Sequence, residues 1–171
     1  ALFHSPAYYQ HSDFDGDGIS EVTLFGRLKR NNKIQAKIVS GADSEYKMSA
    51  YNFPDRWENI SWHKIFDMNN DGQPEWGLFG TSREDGRTMF MIKDATEIRG
   101  LVATYAWPNM DNPTLLTIPD ISSDGTPELA AAGLNTETNR YQLQIKDGSN
   151  RNITLSNITW PNRWDDVSFH V

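Results

Sequence analysis

Three short segments concentrate side chains suited to binding a hard metal ion. They are DFDGDGISE at 13–21, DMNNDGQPE at 67–75 and DISSDGTPE at 120–128. Each places an oxygen-bearing side chain at positions 1, 3, 5 and 9, and a glycine at position 6. In the first these are Asp13, Asp15, Asp17 and Glu21; in the second, Asp67, Asn69, Asp71 and Glu75; in the third, Asp120, Ser122, Asp124 and Glu128. Alternate positions of a tightly wound loop can face one centre, and Gly18, Gly72 and Gly125 permit the sharp turn. The backbone carbonyl at position 7, on Ile19, Gln73 or Thr126, then adds a ligand whatever its side chain. A bidentate glutamate brings the count to about six or seven oxygens, which suits Ca²⁺ better than Mg²⁺. No His or Cys takes part, which argues against zinc and copper.

The first half of each segment looks like an EF-hand loop, but the second half does not. An EF-hand carries its bidentate Glu at position 12, between two helices. Position 12 is here Leu24, Leu78 or Ala131, within the strand-like runs EVTLFG, EWGLFG and ELAAAG. The spacing therefore predicts three Ca²⁺ sites, one per segment. With four carboxylates in the first, three in each of the others and only a hydroxyl at Ser122, affinity is expected to fall from first to third. Ten of the 23 acidic residues lie in these segments, where like charges resist ionisation unless a cation is present. Three Ca²⁺ would bring the net charge of −7 to −1.

The segments belong to a longer repeat. Their first Asp residues are 54 and 53 positions apart. A Gly follows each Glu by five residues (Gly26, Gly80, Gly133), an Ile by seventeen (Ile38, Ile92, Ile145), and an aromatic-Pro pair closes each unit (Phe53-Pro54, Trp107-Pro108, Trp160-Pro161). The second unit reads as four strands: Trp62 to Phe66, Trp76 to Phe79, Arg87 to Ile92 and Leu101 to Trp107. Gly, Asn, Asp and Ser cluster between them, as turns require. No stretch sustains a helical apolar period. The expected fold is all-β: one repeat domain over 1–171, built as three four-stranded antiparallel blades of a β-propeller, either partial or self-assembling. The alternative is a linear stack of small sheets. The repeats span 7–54, 57–108 and 111–161, and RWDDVSFHV aligns with RWENISWHK, so a fourth would start at 162–171. Three blades leave aromatic faces to cover, so self-association, or a parent chain resuming with Asp near position 174, is expected.

At these residues the sequence resembles the FG-GAP/VCBS repeat family, the propeller repeats of integrin α-subunit heads and of many secreted bacterial proteins. In that family a D-x-[DN]-x-D-G-x-x-[DE] loop joins the first two strands of a blade and binds Ca²⁺. LFG at 24–26 and 78–80 stands where the family's second strand does, and the resemblance covers nearly the whole chain. Two departures stand out. The last ligand is Glu rather than the commoner Asp, and the third repeat has AAG for LFG, which implies a thinner core there. The resemblance implies a calcium-braced scaffold that is extracellular, at the cell surface or periplasmic. It implies no single ligand or reaction.

Composition narrows the partners. At net charge −7, nucleic acid is an unfavourable partner, and no apolar run is long enough for membrane insertion as a helix. There is no Cys, hence no disulfide and no thiolate chemistry. The nucleophile-elbow, zincin, P-loop and dinucleotide motifs are all lacking. His63 and His170 share a repeat position and read as strand histidines packed between blades. Trp107 and Trp160 share another, as do Trp57 and Trp164, and both pairs read as packing between blades. Trp76 has no aromatic counterpart, standing where Val22 and Leu129 stand elsewhere, and is the residue singled out as an exposed ligand contact. The leading expectation is a non-enzymatic calcium-binding scaffold serving adhesion or display of a glycan or surface-protein ligand. The alternative is a carbohydrate-active propeller, either a lectin or a polysaccharide lyase segment.

Overall fold

Short runs of alternating apolar and polar residues, set between turn-forming Gly, Asn, Asp and Ser, favour antiparallel strands. The computed structural model describes residues 3–10, 13, 17–43, 47–94, 100–163 and 167–169, with backbone alone at 3–5 and 47–49. Among these residues there are strands and no helix. Asp15, Trp164 and His170 lie outside the described residues.

The strands form three four-stranded sheets, each in chain order. The first holds β1 (Phe3–Gln10), β2 (Val22–Leu28), β3 (Ile34–Val39) and β4 (Lys47–Asn52). The second holds β5 (Trp57–Lys64), β6 (Trp76–Ser82), β7 (Thr88–Lys93) and β8 (Leu101–Trp107). The third holds β9 (Met110–Ile118), β10 (Glu128–Asn135), β11 (Arg140–Lys146) and β12 (Thr154–Pro161). Pairing in the first and third is antiparallel throughout. This all-β set of blade-like sheets agrees with the expected fold and is common to a partial propeller and a linear stack.

Two strands differ from expectation. β5 starts at Trp57 rather than Trp62, because the Trp57 ring is already buried and anchors the chain where it leaves the Pro54–Asp55 turn. β6 continues to Ser82, past Phe79, with all seven residues buried. The repeated glycine explains how. A Cβ at Gly80 would lie 2.8 Å from Glu58 O, and one at Gly133 would lie 3.0 Å from Asp111 O. The neighbouring strand passes so closely that only glycine fits, and the β9–β10 register shifts at that point.

The chain divides into two compact units, residues 1–56, 62–77 and 92–102 in one and 57–61, 78–91 and 103–171 in the other, so the second sheet contributes to both. In the first unit Phe25 is fully buried, with ring centroids of Tyr9, Trp62 and Trp76 at 5.3, 4.3 and 4.9 Å. Phe53 packs on Trp62 and Trp76, and the Tyr9 hydroxyl donates to Trp62 O. In the second unit Phe79 packs on Phe90 and Trp107, while Tyr105 stacks on Trp107. Ala130, Ala131 and Ala132 fill the third sheet's core positions, the thin core that AAG implies. The repeated isoleucines Ile38, Ile92 and Ile145 are all buried. Phe169, at the repeat position of Trp62, lies 6.3 Å from the Trp160 ring and 6.4 Å from Tyr141.

Trp76 corrects an expectation. It is not an exposed contact but wholly buried, wedged between Phe25 and Phe53. It fills a core position of β6 that Leu129 fills with less volume in the third sheet, whereas the equivalent Val22 of the first is only half-buried. His63 lies half-buried in β5, and burial lowers its pKa.

Candidate metal centres

Each acidic segment joins the first two strands of its sheet, and local geometry alone winds it. The first Asp of each accepts backbone N–H donors from four and five residues on. Asp13 accepts from Asp17 N (3.2 Å) and Gly18 N (2.7 Å); Asp67 from Asp71 N (3.2 Å) and Gly72 N (2.8 Å); Asp120 from Asp124 N (3.2 Å) and Gly125 N (2.8 Å). The fifth-position Asp accepts from the seventh N–H at 2.8 Å in all three, the donors being Ile19, Gln73 and Thr126. The sixth-position glycines sit at φ +87°, +89° and +93°, and a Cβ on any of them would meet nothing within 4 Å. Glycine is needed there for its backbone conformation, not for space.

The ninth-position glutamate is the opposite of local. Glu21, Glu75 and Glu128 are fully buried, while Asp13, Asp17, Asp71, Asp120 and Asp124 are exposed. In the second loop, backbone bonds from Ile65 N to Glu75 O (2.8 Å) and from Glu75 N to Phe66 O (3.3 Å) close the neck and drive the carboxyl under the loop. Carboxylate oxygens of Asp13, Asp17 and Glu21 come within 4.8 Å of one another, and so do those of Asp67, Asp71 and Glu75. These two triads are the groups of such side chains, among the described residues, that could hold a metal ion.

The second triad includes a buried carboxylate oxygen that no donor meets. Glu75 Oε2 accepts from Met68 N, but Oε1 is buried with no hydrogen-bond partner. Burial pushes the Glu75 pKa up to about 7 against the pull of the Met68 N–H, and the charges of Asp67, Asp71 and Asp94 add to the rise. A buried carboxylate oxygen without a donor costs stability unless a cation meets it. The residues present fit a divalent ion bound through oxygen.

The third loop satisfies itself instead. Glu128 Oε1 accepts from Ser122 N (3.1 Å) and Oε2 from Gly148 N (2.8 Å). Ser149 Oγ donates to Asp124 Oδ2 at 2.6 Å, which with the Thr126 N–H holds Asp124 below the usual carboxylate range. The N–H groups of Gly125, Ser123 and Asp124 do the same for Asp120. The Tyr105 hydroxyl, 2.7 Å from Gly148 O, pins the β11–β12 loop in place. A Cβ at Gly148 would overlap Pro127 O, so the approach depends on glycine. Gly148→Ala is therefore expected to cost about 1–2 kcal/mol, by displacing this backbone and its bond to Glu128. Urea unfolding in EDTA reads this directly, and an unchanged midpoint would contradict it.

Reading along the chain missed the loop after each third strand. Ser40, Asp94 and Asp147 stand two residues after the repeated isoleucine, and that spacing is their only signal in the sequence. In space this loop approaches the acidic one. Asn69 Nδ2 donates to Asp94 Oδ2 at 3.1 Å in the second sheet, and Gly148 and Ser149 serve the third. A Cβ at Gly41 would likewise overlap Ser20 O in the first. Among the described residues, no helix is long and apolar enough to cross a membrane. Comparison with protein-family models and with curated proteins finds no match for this chain.

Proposed function

We propose that the chain is a calcium-binding β-sheet repeat scaffold that works outside the cytosol, its acidic loops closed by the ion. The observation that carries this is Glu75 Oε1, buried without a donor inside a triad of carboxylates. The donors are oxygens alone, which favours Ca²⁺ over the transition metals. A buried glutamate able to bind through both oxygens, together with the position-7 carbonyls of Ile19 and Gln73, favours Ca²⁺ over the smaller Mg²⁺. The first two loops are the principal sites. The third, with Asp120, Ser122, Asp124, Glu128 and the Thr126 carbonyl, is the weakest, because an ion there must displace bonds that Glu128 already makes.

Extracellular modules bind Ca²⁺ with Kd of about 10⁻⁴–10⁻³ M, a range in which calcium outside cells keeps such a scaffold braced. Adhesion or ligand display is the role consistent with that. The carbohydrate-active alternative is weakened by the burial of Trp57, Trp76 and Trp107, whose indole faces are spent on packing. Calcium titration by calorimetry tests the proposal: two principal binding events are expected, with Mg²⁺ weaker at both. Absence of any calcium heat, with the melting curve indifferent to EDTA, would overturn it.

A further inference from the structure

The geometry points to Asp94 as a positioning residue of the second metal centre, supplying from a separate loop the charge that the acidic segment itself lacks. This rests on the calcium reading above and deepens it. The first loop carries carboxylates at positions 1, 3, 5 and 9, but the second has the neutral Asn69 at position 3. Asn69 Oδ1 accepts from Asp71 N (3.0 Å), and its Nδ2 faces Asp71 Oδ2 (3.2 Å) and Asp94 Oδ2 (3.1 Å). An amide donates only through its nitrogen. Asp94 therefore fixes which way the amide points and keeps its oxygen on the loop side. It also brings the carboxylates around the centre to four, the number the first loop holds by itself.

Asp94 is held where this requires. It directly follows β7, whose last residue, Lys93, is buried with its ammonium 3.6 Å over the Tyr51 ring. The Asp94 N–H donates to Gly100 O at 3.3 Å. The independent sign that the centre takes a cation is Glu75 Oε1, fully buried and without a donor. The other two sheets mark the arrangement as particular to the second. Ser40 stands at the position of Asp94 in the first, where position 3 is already acidic. In the third, the acid is present as Asp147, but its Oδ1 accepts from the backbone N–H groups of Ser149 (2.8 Å) and Asn150 (2.7 Å) and serves its own turn. The simple descent in affinity from first loop to third is thereby revised: the second site should match the first.

The test is calcium calorimetry on the full chain with the first site weakened by Asp17→Asn. In that background Asp94→Asn and Asp94→Ser should each weaken the remaining site by about 10–100-fold, the range for losing a partner that orients a ligand. Moving the carboxylate back into the loop, by Asn69→Asp together with Asp94→Ser, should restore affinity to within about threefold. A merely structural role for Asp94 would not be rescued by this relocation, and would show as lower melting in EDTA for both single Asp94 variants. Affinity unchanged in both single variants, or no rescue by the double variant, would overturn the assignment of Asp94 while leaving calcium binding intact. If the unmutated chain itself takes up no Ca²⁺, the functional reading falls, and this inference falls with it.

Discussion

Chelation of calcium is expected to lower the melting temperature by about 10–20 °C. Each site that binds only the folded chain contributes about 2.7 kcal/mol at a hundredfold excess of ion over Kd. With Kd near 10⁻⁴ M that excess is about 10 mM Ca²⁺, and two principal sites together add about 5 kcal/mol. A chain of this length shifts by about 2–4 °C per kcal/mol. Two structural features support this. The carboxylates of Asp13, Asp17 and Glu21, and of Asp67, Asp71 and Glu75, crowd within 4.8 Å in each group. Each group also has one member buried beneath two more accessible ones. Without an ion the repulsion falls on the loops, so limited proteolysis in EDTA should cut first near residues 13–21 and 67–75. Scanning calorimetry in 10 mM CaCl₂ and in EDTA measures the shift. Coincident melting curves would refute the bracing role of calcium.

Glu75→Gln should change stability in opposite directions with and without calcium. With calcium, the substitution removes the buried charge of the second site, so about 2.7 kcal/mol of binding stabilisation disappears and the melting temperature falls by about 5–10 °C. In EDTA the native Glu75 is a liability. Burial raises its pKa from 4.5 to about 7 in the folded chain, so the folded state holds a proton that the unfolded state releases. Stability from this group is thus fully present below pH 4.5, declines as pH rises and is lost on passing 7. Above that the cost is on the order of 2 kcal/mol, allowing for screening by the solvated loop around it. A glutamine keeps an oxygen for the Met68 N–H and presents an amide to Asp67 and Asp71, with no charge to bury. In EDTA at pH 8 the variant should therefore melt higher than the native chain, and the two should converge near pH 4.5. In calcium the native protein should lose the downward slope between pH 5 and 8, since the ion favours the ionised carboxylate. A variant that is less stable in EDTA at pH 8 as well would show that Glu75 is held by contacts other than those described.

What was legible along the chain follows from the range of the forces involved. The loop conformation is written in neighbouring residues. The first Asp captures the N–H groups of the turn, the fifth captures that of the seventh, and the glycine between them takes a positive φ that other residues resist. The four-strand unit was equally plain, because alternation and turn residues act over a few positions. The ends of β5 and β6 were less plain. Trp57 starts its strand early by being buried, and β6 runs on because Gly80 admits the close passage of β5.

Residue spacing along the chain specifies three oxygen-rich loops, each turned at a glycine, joining the first two strands of a repeated four-stranded sheet. Packing decides how each loop's buried glutamate and its neighbours are met. Trp76 is core because Phe25 and Phe53, far from it in the chain, close over it. Glu128 needs no ion because Gly148, twenty residues on, delivers an N–H to it, whereas Glu75 keeps one oxygen unmet. Asp94 joins the second loop from the far end of β7. Repeat-equivalent residues have the same local preferences, but desolvation and charge act through space. Which acid is buried, and which donor or second acid reaches it, depends on neighbours that spacing along the chain does not encode.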